Sequence, residues 1–144
     1  MQLDPPAPMT LLLQTAQTWV VHSLDARLAT RGHPSLTEAQ TALLSNLDCG
    51  TTYASAVAHR MGISRQAVYR TVREMAELGL LELQADPVKR NQKLIVMTDK
   101  ANALVTDARA VLAEIEAELA NRIGPADTAA LRRALEAGWG DSLT

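Results

Sequence analysis

Apolar positions along this chain are grouped into separate amphipathic segments, each closed by residues that favour turns. In residues 64–79, Val68, Val72, Met75 and Leu78 recur at helical spacing and predict one stripe packed against a core. Arg65, Gln66, Tyr69, Arg70 and Arg73 share the other face, which carries no carboxylate before Glu74. Ser64 suits the N-cap and Gly79 the left-handed residue after the helix. Residues 52–61 predict a shorter helix with Ala54, Val57, Ala58 and Met61 inward. Gly62 and Ile63 link the two segments tightly enough for a helix-turn-helix, with Ala58 small at the crossing and Ile63 and Val68 filling the space between.

The flanks extend the pattern. Residues 1–8 hold three prolines and predict a frayed arm. A helix is expected from Met9 to about residue 29, with Leu12, Leu13, Ala16, Trp19, Val20, Leu24 and Leu28 on a wide stripe, ended by Gly32 and Pro34. Thr37 and Gln40 fit a capping box opening a second helix, with Leu43, Leu44 and Leu47 inward. After the helix-turn-helix, residues 80–85 and 93–98 read as two strands around DPVKRNQ, a β-hairpin wing carrying Lys89 and Arg90 at its tip and Lys93 at its base. From Thr98 a long helix is expected, its stripe including Leu104, Val111, Leu112 and Ile115. Gly124 and Pro125 break it before a short helix with Leu131, Ala134 and Leu135 inward. The long stripe has little chain left to bury it, which predicts a homodimer.

Charge alters the picture only when it is placed along the chain. The net charge is −2, yet residues 51–100 hold eight Lys/Arg against five Asp/Glu, while the remainder holds six against eleven. A basic segment within an acidic chain suits phosphate binding by one surface. The 47% apolar content excludes a disordered chain, and with no long apolar run or leader-like start a cytoplasmic protein without a membrane segment is expected. No nucleophile–base pair, paired catalytic carboxylates or phosphate loop points to an enzyme. His22, His33 and His59 show no metal-ligand spacing, and no cofactor motif is present. Cys49, the single thiol, reads as a small apolar residue near a helix end.

The order and separation of LTEAQTALLSNL at 36–47, AHRMGISRQAVYRTVREMAELGLLE from residue 58, the DPVKR wing and MTDKA at 97–101 together resemble the MarR family of winged helix-turn-helix regulators. The resemblance implies a mainly α fold with a small β-hairpin wing, in one domain over residues 1–144. Helices at 9–35 and 98–140 would form the dimer, and 36–97 the DNA-binding region. It implies a transcription regulator, in the first instance a repressor, on a pseudo-palindromic double-stranded operator. Arg65, Gln66 and Arg70 match base- or phosphate-touching positions, Ser64 the capping start and Arg90 the wing arginine; Tyr69, Arg73 and Lys89 complete the candidate DNA face by position. Lys89 stands where an aspartate usually holds the wing, Asn91 where a second arginine is common, and Ala101 where a junction glycine is frequent. A wing ordered less firmly, or held by different contacts, is the consequence expected.

Two further expectations follow from the resemblance. Such regulators place a pocket for a small aromatic effector between dimer and DNA-binding regions, for which Trp19 and His22 are candidates; a core tryptophan at the dimer interface is the alternative. Some sense oxidants through cysteine, a role for Cys49 that no neighbouring basic residue supports. A winged-helix module whose basic face meets an acidic protein partner is the competing reading.

Overall fold

The computed structural model describes residues 5–48 and 51–144, so Cys49 lies outside the described residues. In chain order the elements are α1 (Met9–Thr30), α2 (Glu38–Ser45), β1 (Thr51–Tyr53), α3 (Ala54–Met61), α4 (Arg65–Glu77), β2 (Leu81–Ala85), β3 (Lys93–Met97), α5 (Asp99–Ile123) and α6 (Pro125–Glu136). They group into two compact units. One comprises Asp25–Ala108, and the other joins the early part of α1 to the chain from Arg109 onward.

The first unit is built on the helix-turn-helix. The capping box at α2 forms in both directions: the Thr37 hydroxyl accepts from the Gln40 amide at 3.2 Å, and the Gln40 side chain accepts from the Thr37 amide at 3.0 Å. The Gln40 amide group also donates to Glu74 at 3.3 Å, fastening α2 to α4. Leu43, Val57, Val68, Val72, Met75 and Leu80 are each 1% exposed or less and form the centre of one core. At about 1.5–3 kcal/mol for each large side chain removed from water, this cluster dominates the stabilisation of the unit.

Three sequence expectations are corrected here. Thr52 and Tyr53 are not helical. With Thr51 they form β1, which pairs antiparallel with β3, placing Thr51 opposite Val96 and Tyr53 opposite Leu94. The wing is therefore part of a three-stranded sheet of order β1-β3-β2. Two β-branched residues and an aromatic favour the extended state, and Thr52 is buried beside Ile95 with its hydroxyl accepting from the Asp48 amide at 2.9 Å. Ile63 does not plug the helix crossing: it is 39% exposed, while Val68 alone is fully buried there.

The third correction concerns the helix ends in the second unit. Leu131 and Leu135 of α6 are 42% and 50% exposed, and no residue of α6 is buried. Leu11, Leu12 and Val21 of α1 and Leu112 of α5 are also exposed, whereas Val111 and Ile115 are buried. Leu131 and Leu135, expected inward, are thus left uncovered by a single chain. An ion-pair set on the polar side joins Arg132 to Glu116 and Glu136, and Arg122 to Glu118.

Candidate nucleic-acid interface

The second helix of the helix-turn-helix, α4, is fixed at both ends before any chemistry is considered. At its start Gly62 takes the left-handed conformation (φ 64°) and the Ile63 amide donates back to the Ala58 carbonyl at 3.1 Å. Ser64 then caps α4, its hydroxyl accepting from the Ala67 amide at 3.1 Å. At the far end Gly79 has φ 76°, and the Leu80 amide closes onto the Met75 carbonyl at 3.0 Å. The Lys100 ammonium donates to the Leu78 carbonyl at 2.7 Å, and the Thr98 hydroxyl donates to the Gly79 carbonyl at 2.7 Å. With Val68, Val72 and Met75 locked in the core, the outward face has a fixed orientation.

That face is a shallow concavity lined by Ser64, Gln66, Ala67, Tyr69, Arg70 and Arg73. Arg65, Gln66, Arg70 and Arg73 are exposed, and among the described residues no carboxylate pairs with Arg65, Arg70 or Arg73. Arg60, by contrast, holds Asp48 through two bonds of 3.1 and 3.0 Å. The three on α4 therefore have their donors available for an external anion or base edge. Tyr69 differs from its neighbours. Its ring is half-buried against the core, and the Lys93 ammonium lies 5.8 Å from the ring centroid. This contact brings the base of the wing against α4, adding Lys93 to the basic face.

The wing turn, residues 86–92, carries exposed Val88, Lys89 and Arg90. Its anchor is Asp86, only 6% exposed. One carboxylate oxygen accepts from the Tyr53 hydroxyl at 2.7 Å and the other from the Val88 amide at 2.9 Å. The Tyr53 hydrogen bond, then the Val88 amide, holds the Asp86 carboxyl below the usual carboxylate range, and the same Tyr53–Asp86 bond pushes the phenol up. The Lys89 ammonium sits 5.7 Å from the Tyr53 ring centroid. The Tyr53–Asp86 pair was missed in sequence because its members lie 33 residues apart, although Asp-Pro does mark the turn.

The candidate effector residues belong to a different unit from this face. Trp19 is half-buried with the Arg122 guanidinium 5.5 Å from its ring centroid, and His22 is exposed. Both belong to the unit of helix ends.

No family model matches the chain. By sequence it is 29% identical to the uncharacterized protein Rv2011c of Mycobacterium tuberculosis over 107 residues, 74% of this chain and 73% of that one. It is 25% identical to the HTH-type transcriptional regulator TcaR of Staphylococcus aureus over 99 residues, 67% of this chain and 66% of TcaR. Among solved structures, a MarR-family transcriptional regulator from Rhodococcus sp. RHA1 superposes with a TM-score of 0.64 at 23% identity, covering 89% of each chain. The chain has the MarR-family fold. BpsR of Bordetella bronchiseptica, whose DNA binding is regulated by 6-hydroxynicotinic acid, matches with a TM-score of 0.69 at 22% identity over 98% of this chain and all of that one. The MarR fold places α4 as the second helix of the helix-turn-helix and the β2–β3 hairpin as the wing. Among the described residues no helix is long and apolar enough to cross a membrane.

Proposed function

We propose that this chain is a sequence-specific double-stranded DNA-binding regulator of transcription, acting as a homodimer and as a repressor in the cytoplasm rather than as an enzyme. The observation that carries the reading is the α4 face: three guanidiniums with no carboxylate partner among the described residues, and Gln66, on a helix whose orientation is fixed at both ends. Phosphate contacts from Arg73 and Arg90 and from the Ser64-capped helix start give affinity, while Arg65, Gln66, Tyr69 and Arg70 supply the sequence choice. Residues 36–97 do the binding, and the helices at 9–35 and 98–140 pair two copies. Exposed Leu11, Leu12, Leu131 and Leu135 support that pairing, because a single chain leaves them in water. Two recognition helices then meet half-sites about 34 Å apart on a pseudo-palindrome.

Release by a small aromatic effector acting near Trp19 and His22 completes the proposal, supported by the regulation of BpsR by 6-hydroxynicotinic acid. The test is titration of the purified chain against duplex from its own promoter region and against scrambled duplex of equal length. A specific site should be preferred by about 10³-fold or more, with affinity falling steeply with salt. Equal, weak binding to both duplexes would favour a module that meets an acidic protein partner instead.

A further inference from the structure

The turn of the wing has few means of holding its shape. Val88 at its tip is 85% exposed and packs against nothing that would fix it, and the backbone ties across residues 86–92 are the Gln92 amide to the Lys89 carbonyl at 2.9 Å and the Asp86 amide to the Gln92 carbonyl at 3.1 Å. A turn so lightly tied by its backbone gains its shape from side-chain contacts. The side chain that supplies them is Asp86. Its carboxylate accepts from the Val88 amide inside the turn and from the hydroxyl of Tyr53, which belongs to β1 on the opposite edge of the sheet. The bond therefore spans the end of β3 and ties the turn to a strand that leads directly into α3.

Tyr53 also fixes a charge. The Lys89 ammonium lies 5.7 Å from the centroid of its ring, an attraction made within the protein. No such partner holds the adjacent Arg90 among the described residues. We infer that Tyr53 and Asp86 are the positioning residues of the wing, holding Lys89 against the sheet so that Arg90 is the group the wing delivers to DNA. The inference rests on the DNA-binding reading above. It also divides the two basic residues of the tip, assigning the longer reach to Arg90 and an internal role to Lys89.

Coupling of variants tests this, since residues that act through one another lose affinity non-additively. The probe is a duplex selected by the unaltered chain from a random pool. Tyr53→Phe removes the hydroxyl but keeps the ring, and should weaken binding about fivefold in the parent chain. In an Arg90→Ala background the same change should cost less than about twofold, whereas in an Arg70→Ala background it should again cost about fivefold. Asp86→Asn, read in the same two backgrounds, should repeat the pattern, and Lys89→Ala should cost less than Arg90→Ala. A merely structural role for Tyr53 would cost the same in every background, and that result would overturn the inference. Selection of no duplex by the parent chain would overturn the DNA reading and this inference together; a selected duplex with additive losses would overturn this inference alone.

Discussion

Replacing Arg70 by alanine separates reading DNA from holding the fold. The side chain is exposed on α4, has no carboxylate partner among the described residues and lies on the concave face rather than the Val68–Val72–Met75 stripe. Removing it opens no cavity and strands no buried group, and alanine is a better helix former, so folding stability should change by less than about 0.5 kcal/mol. Binding should respond differently. A bidentate contact to a base is worth about 1–3 kcal/mol, and a homodimer would lose it in both half-sites, giving about 2–6 kcal/mol. At about 1.4 kcal/mol per tenfold, operator affinity should fall by roughly 30-fold to 10⁴-fold. Fluorescence anisotropy with the selected duplex at one fixed salt concentration measures the loss, and thermal unfolding measures stability. Affinity within about twofold of the parent, at unchanged stability, would refute the placement of the reading face.

The remaining predictions address the scaffold and its assembly. Ser64→Ala should destabilise the fold by about 1 kcal/mol through loss of the α4 cap, seen as a lower midpoint in thermal unfolding. Met75→Ala, at a position with no exposure, should cost about 2–5 kcal/mol. The Tyr53–Asp86 bond sets a pH window: the raised phenol contributes stability that is full below about pH 10 and lost as pH rises through its folded value, while the lowered carboxyl contributes stability present above about pH 3.9 and lost as pH falls through its folded value. Tyr53→Phe should remove the alkaline loss and weaken the acid one; identical pH profiles of unfolding for the two proteins would refute the linkage. Leu131→Glu with Leu135→Glu should turn a dimer into monomers in sedimentation velocity, because charges at exposed apolar positions cost little in one chain and much in a buried seam.

What was legible in the sequence had a local signal. The capping box of Thr37 and Gln40, the Ser64 cap, the turn at Gly62 and the stripe of Val68, Val72 and Met75 are all specified within a few residues, and each forms as expected. Elements that depend on distant partners were less legible. β1 is three residues long, too short for alternation to register, and its partner β3 lies some forty residues onward. The wing anchor is similarly non-local, linking Tyr53 to Asp86, and so is the cation–π contact that sets Lys93 over Tyr69. Ile63 was misplaced because adjacency to a turn does not say which side of it faces the core. For α6 the stripe of Leu131 and Leu135 was read correctly as apolar, but periodicity cannot say whether its cover comes from the same chain.

The central claim is that a pair of these chains reads an inverted repeat through the α4 faces. Selection of bound fragments from random duplex DNA by the purified protein, followed by sequencing, tests it most directly. The account predicts enrichment of a two-fold site with half-sites about one helical turn apart. A folded dimer that enriches no sequence would contradict it.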